Sequence, residues 1–103
     1  MDQITTISPP ITPLLLAKRD LGSRIRTERK RVGYDTRELA RLVPVARPIL
    51  ELMESGNYKL SLFSPLGVRV TRIADALCVS LKERQQWIRL VDDIWLEHWA
   101  DRI

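Results

Sequence analysis

Apolar residues recur at intervals of three or four along most of this chain of 103 residues, a spacing that places them on one face of an α-helix. Five helices are predicted from this pattern, at 21–31, 36–43, 47–54, 65–77 and 81–102. Thr12 and Pro13 offer an earlier start to the first, because Thr caps helices and Pro suits the first helical position. Residues 57–63 are predicted to form a loop with some strand-like alternation. The fold class predicted is all-α.

Residues that start and stop helices stand between these segments. Asp35, followed three residues later by Glu38, is typical of the reciprocal capping box that opens a helix. Gly33 and Gly56 are typical of helix ends, and Pro44 interrupts the second helix. The middle of the chain is therefore predicted to hold short helices joined by tight connections.

The chain is predicted to have three parts, at 1–12, 13–82 and 83–103. The first is an irregular arm, because Pro9 and Pro10 are incompatible with a helix interior or a strand ladder. Its apolar Ile4 and Ile7 are expected to pack on the domain or on a partner. The second part is predicted to be a helical domain and the third a helical extension, and Ser80 can cap the helix 81–102 that runs into it.

The three Trp residues of the chain lie in its last 17 residues, where Trp87, Val91, Trp95 and Trp99 recur every fourth position. This spacing makes one slowly winding apolar stripe. The stripe has two interpretations, closure of the hydrophobic core or a dimer interface. We predict a homodimer whose interface includes Val91, Trp95 and Trp99, because a large exposed apolar patch usually marks association.

The chain has a formal net charge of +4, and the charged residues are distributed unevenly along it. Residues 18–47 hold ten Lys and Arg against four acids, a local charge of +6, whereas 73–103 hold four basic residues against six acids, a local charge of −2. One strongly basic half is typical of a protein with a polyanionic partner such as nucleic acid.

The sequence contains few residues that could form a catalytic or metal-binding site. The single Cys78 excludes a disulfide within the chain, and its apolar neighbours predict a small buried side chain. The single His98, on the last helix, is predicted to be a surface or interface residue. No glycine-rich phosphate loop or metal-ligand spacing occurs, so we expect no enzyme and no cofactor. No signal peptide or membrane span is evident, which predicts a cytoplasmic protein.

Five fragments, in this order, resemble the lambdoid phage repressor and Cro family (XRE type) of helix-turn-helix proteins. They are LGSRIR at 21–26, VGYD at 32–35, ELA at 38–40, MESG at 53–56 and IADALCVS at 73–80. The spacing of 14 residues from Ala40 to Glu54 also fits the family. The resemblance covers roughly residues 21–82 and implies a five-helix lambda-repressor-like DNA-binding domain.

The resemblance also implies roles for individual residues. Helix 36–43 would cross the DNA backbone, and helix 47–54 would lie in the major groove. Base edges would be read by Arg47, Glu51 and Leu52, with Arg47 suited to a bidentate contact with guanine. An ion pair between Arg29 and Glu54 would join the first and third helices. The residues implied to contact the DNA backbone are Thr36, Arg37, Arg41, Asn57 and Lys59.

This chain departs from the family pattern around the third helix. Pro44 stands where the family usually has a glycine at positive φ, Ala46 replaces the usual Ser or Thr cap, and Pro48 and Leu52 replace polar residues. The loop 57–63 is also a few residues longer than usual. An alternative function is therefore a protein-binding adaptor that uses the apolar face of Pro48, Ile49 and Leu52.

The function predicted is a transcriptional regulator that binds double-stranded DNA in a sequence-specific manner. A repressor of the phage or mobile-element type and an antitoxin with a toxin partner are both compatible with the sequence.

Overall fold

The computed structural model describes residues 12–58 and 66–100, and these residues are all-helical, as predicted. Five helices follow one another: α1 (Pro13–Val32), α2 (Thr36–Leu42), α3 (Arg47–Ser55), α4 (Leu66–Leu77) and α5 (Leu81–Ala100). The predictions made for the N-terminal arm, for Lys59 and for most of the loop 57–63 lie outside the described residues.

The capping residues named from the sequence account for the helix starts. Thr12 Oγ1 accepts a hydrogen bond from the Leu15 amide at 3.1 Å, so α1 takes the earlier of its two predicted starts. The capping box of α2 is complete, because Asp35 accepts from the Glu38 amide at 2.8 Å and Glu38 accepts from the Asp35 amide at 3.0 Å. Ser80 Oγ accepts from the Glu83 amide at 3.1 Å in the first turn of α5.

Three helices end in the same way, with one residue in the left-handed region. Gly33 and Gly56 have φ of 95° and 77° at the ends of α1 and α3, and Cys78 has φ of 51° at the end of α4. Cys78 is exposed, so the prediction that it is buried is wrong. The apolar run around it does not decide its burial, because the chain reverses direction there and the backbone amide of Val79 bonds back to Ala74 at 3.2 Å.

Helix α1 packs against α3, α4 and α5. The core lies between α1 and the inner faces of these three helices. Arg24 of α1 donates to Glu83 near the start of α5, and further along α1 Arg31 donates to the Leu77 carbonyl at the end of α4. The largest fully buried side chains are Leu21, Ile25, Leu39, Leu50, Met53, Leu66, Val70, Ile73, Leu77, Trp87 and Ile94.

The tryptophan stripe of α5 leaves the core gradually. Trp87 has an exposed fraction of 0 % and Val91 of 8 %, Trp95 is half-buried against the core, and Trp99 is 56 % exposed. The reason is geometric, since positions four apart turn by about 40° on a helix and the four positions turn by about 120° in all. Val91 is therefore a core residue and not an interface residue, and the predicted boundary at 82/83 lies inside a helix that completes the core.

The two longest helices, α1 and α5, have 20 residues each, which is the length that a membrane span requires. Charged residues are spread along both. Within the described ranges, none of the helices is apolar enough over such a length to cross a membrane.

Candidate nucleic-acid interface

Helix α3 is held against α1 by a close backbone approach. Gly22 is buried in α1, and a β-carbon placed on it would overlap the carbonyl oxygens of Met53 and Glu54. Near the other end of the contact, a β-carbon on Gly56 would lie 3.0 Å from the Arg19 backbone nitrogen. Because the two backbones touch, the position of α3 relative to α1 is tightly defined.

The ion pair implied by the family resemblance is present between the same two helices. Arg29 Nε donates to Glu54 Oε2 at 2.7 Å and Arg29 Nη2 donates to Glu54 Oε1 at 2.9 Å. A third donor, Arg29 Nη1, reaches the Tyr34 carbonyl at 2.8 Å, and Arg29 is only 8 % exposed. The hydrogen bonds that Arg29 donates to the Glu54 carboxylate raise the pKa of Arg29. Glu54 is thus engaged in an ion pair within the protein, and its side chain is only 7 % exposed.

The connection between α2 and α3 accommodates the proline that departs from the family pattern. Residues 43–46 join the helices, and the Val45 amide bonds to the Ala40 carbonyl at 3.1 Å. Pro44 fits because none of these four residues has positive φ. Ala46 provides no side-chain cap for α3, as the sequence predicted.

Three of the predicted DNA-contacting residues come together at the N-terminal ends of α2 and α3. Arg47 Nε lies 3.1 Å from Thr36 Oγ1 and 3.1 Å from Glu51 Oε2. Thr36 Oγ1 is also 3.5 Å from the same carboxylate oxygen. The Arg47 and Glu51 side chains are each 49 % exposed. We call Thr36, Arg47 and Glu51 the polar cluster.

Of the other predicted contact residues, Lys59 lies outside the described ranges and the rest are exposed. Arg37 and Arg41 are exposed on α2. On α3 and just after it, Leu52 is 39 % exposed and Asn57 is exposed. The exposure of Leu52 beside the polar cluster leaves both of its predicted roles open, contact with a thymine methyl or with a protein.

The basic residues of 18–47 divide into two groups of equal size. Five make side-chain contacts within the chain, at Lys18, Arg24, Arg29, Arg31 and Arg47. The other five are exposed, and they are Arg19, Arg26, Lys30, Arg37 and Arg41. Arg31 and Arg47 of the first group are exposed as well. The buried Arg29 and the half-buried Lys18 and Arg24 therefore contribute less to the charge that a partner meets than the local charge of the sequence suggests.

A basic stripe on α1, formed by Arg19, Arg26 and Lys30, was not singled out from the sequence. On a helix that turns about 100° per residue, these positions lie within about 40° of one another. Arg26 lines the same surface depression as Thr36 and Glu51, so the stripe reaches the polar cluster. The sequence could have revealed the stripe, because spacings of seven and four residues place three basic side chains on one face of a helix.

The described residues show no arrangement that would support metal binding. In 12–58 and 66–100, no three His, Cys, Asp or Glu side chains could together hold a metal ion. The imidazole of His98 lies between two indoles, with ring centroids 5.8 Å from Trp95 and 5.6 Å from Trp99, both in edge contact.

Comparisons with models of protein families, with curated proteins and with solved structures gave no match to this chain. The likeness to the lambdoid repressor and Cro family therefore stays a prediction from the motifs.

Proposed function

We propose that this protein binds double-stranded DNA in a sequence-specific manner and regulates transcription, in the simplest case as a repressor that occludes a promoter. The observation that carries the proposal is the contact of Arg47 with Thr36 at 3.1 Å. It places an exposed guanidinium at the first position of α3, directly beside the start of α2. In a helix-turn-helix, those two helix ends are the parts that face the major groove and its bordering phosphates.

Arg47 is suited to read a base because its side chain is already oriented. Thr36 and Glu51 both contact its Nε atom, and neither of these contacts uses the two terminal nitrogens. A guanidinium presents parallel donors that match the O6 and N7 acceptors of guanine. Glu51 can in turn accept from a cytosine amine, as the family resemblance implied, or serve only to hold Arg47 in place.

The surroundings of the polar cluster supply the charge for phosphate contacts. The basic stripe runs along α1 on one side, and the exposed Arg37 and Arg41 lie on α2. Each phosphate that a basic side chain neutralises releases counterions, which provides affinity that does not depend on base sequence. The ion pair with Arg29 neutralises the acidic Glu54, which lines the same surface depression as Arg26 and Thr36.

The proposal includes a homodimer. Its interface keeps Trp95 and Trp99 from the sequence prediction, omits Val91 and adds Leu96. The exposed apolar residues in the last turns of α5 are Leu96, at 68 %, and Trp99, at 56 %. Trp95 contributes through its half-buried indole, whereas Val91 is enclosed in its own chain. Two copies joined at this surface would bind two half-sites about one helical turn of DNA apart.

The adaptor remains the alternative, and one observation reduces its support. Ile49 is half-buried and packs against the core, so the exposed apolar part of α3 consists of Pro48 and Leu52. This is a small surface for protein recognition. We favour DNA as the partner, with a cytoplasmic phage-type repressor or an antitoxin as the biological setting.

The deciding experiment is selection of bound duplexes from a random DNA pool, followed by titration of the selected duplex at several salt concentrations. We expect an enriched sequence motif and a log–log salt slope of about −4 to −7, because roughly 4–8 phosphates would be neutralised. Recovery of no motif together with a flat salt response would favour the adaptor.

A further inference from the structure

A cavity lies beside the connection between α2 and α3. Its volume is about 450 Å³, roughly that of fifteen water molecules, and it lies within the size range of small-molecule sites. It is bounded by the connection 43–46, by α3 and by α4. We call it the α4 cavity.

The α4 cavity has an apolar floor and a cationic side. Val43, Met53 and Ile73 are buried at its base. Arg69 and Arg72, one turn apart on α4, provide the charge, with Arg69 half-buried and Arg72 exposed. Among the described residues that line it, none is acidic. Two guanidiniums over an apolar floor are complementary to a ligand with one anionic end and one apolar end.

We propose that the α4 cavity binds a small organic acid, with its carboxylate held by Arg69 and Arg72 and its apolar body on the floor. Guanidinium and carboxylate form paired, charge-assisted hydrogen bonds, which fix the orientation of such a ligand. A DNA phosphate fits less well, because the sugar–phosphate backbone has no compact apolar group to cover the buried floor.

The cavity has the connection that leads into Arg47 as one wall and α4 as another. A ligand that contacts both walls stabilises their relative arrangement. Occupancy is therefore expected to raise the melting temperature of the protein as ligand concentration increases.

The test uses three probe acids, 3-phenylpropionate, octanoate and indole-3-acetate, each compared with its neutral amide, in titrations followed by amide NMR. We expect at least one acid to saturate, with shifts concentrated at 43–46 and 68–73, and its amide to bind about tenfold more weakly or worse. The variant R72Q should weaken the acid by about tenfold, the loss expected for one charge-assisted contact.

The matched control is R89Q, which removes an exposed arginine from α5, outside the cavity lining. It should leave acid binding unchanged, and both variants should retain the circular dichroism of the parent. The proposal is overturned if none of the acids saturates, if acid and amide bind equally, or if R89Q weakens binding as much as R72Q. None of these readouts uses DNA, so the outcome is separate from that of the duplex selection.

Discussion

The carbonyl oxygen of Glu54 lies so close to Gly22 that no β-carbon can be placed on Gly22 without overlapping it. The side chain of the same Glu54 holds Arg29, seven residues further along α1. One residue of α3 therefore meets α1 twice, through its backbone and through its carboxylate. The orientation of the proposed recognition helix depends on both contacts.

Replacing Gly22 with Ala should destabilise the fold by about 1–3 kcal/mol or more, because the methyl group forces two packed backbones apart. The control is Gly67→Ala on α4, where the nearest atom to a new β-carbon is Val91 Cγ1 at an ordinary 3.8 Å. That change should stabilise by up to about 1 kcal/mol, since Ala favours a helix more than Gly does. Urea unfolding of both variants measures the difference, and equal effects would refute the close approach.

Glu54→Gln should lower the free energy of unfolding by about 3 kcal/mol, because it leaves the buried Arg29 charge without its counter-ion. Glu51→Gln provides the comparison on the same helix. Glu51 is 49 % exposed in its pair with Arg47, so that change should cost no more than about 1 kcal/mol. Thermal and chemical denaturation at neutral pH would show whether the two carboxylates differ in this way.

Cys78→Gly should stabilise the protein by about 1 kcal/mol. Cys78 has φ of 51° at the end of α4, where a side chain is strained and glycine is not. Cys78→Ala keeps the β-carbon and should give no such gain. If Ala and Gly shift the unfolding midpoint alike, the left-handed conformation at this position is wrong.

For DNA recognition, Arg47→Ala should cost about 1–3 kcal/mol on the selected duplex and relax the preference at one base pair. Arg37→Ala, an exposed change on α2, should weaken all duplexes alike and reduce the magnitude of the salt slope by about 1. Competition binding with a panel of single-base variants separates the two. Retention of the full sequence preference by Arg47→Ala would mean that another residue, or DNA shape, provides the specificity.

Trp99→Ala should convert the proposed homodimer into a folded monomer with weaker binding to a two-half-site duplex. Trp99 is 56 % exposed at the end of α5, so its loss should leave the core intact. Leu81→Ser, which changes an apolar residue that is 79 % exposed at the other end of α5, should leave the dimer unchanged. Light scattering at micromolar concentration provides the test, and a monomeric parent protein would refute the dimer.

Local features were predictable because their causes lie within a few residues of sequence. These features are the capping box of Asp35 and Glu38, the glycine ends of α1 and α3 and the five helices, and all of them depend on hydrogen bonds between near neighbours in the chain. The Arg29–Glu54 ion pair could be predicted only from the family resemblance, because the two residues are 25 positions apart in the chain.

By itself, then, the sequence determined the helices, their caps and the excess of basic residues in 18–47. Only the tertiary structure decided which basic residues remain exposed, how the stripe from Trp87 to Trp99 divides between core and surface, and that Cys78 lies outside the core. Those outcomes depend on how α1, α3, α4 and α5 pack against one another. Helical periodicity names the residues that share a face, but burial is decided by which face meets a neighbouring helix and for how many turns.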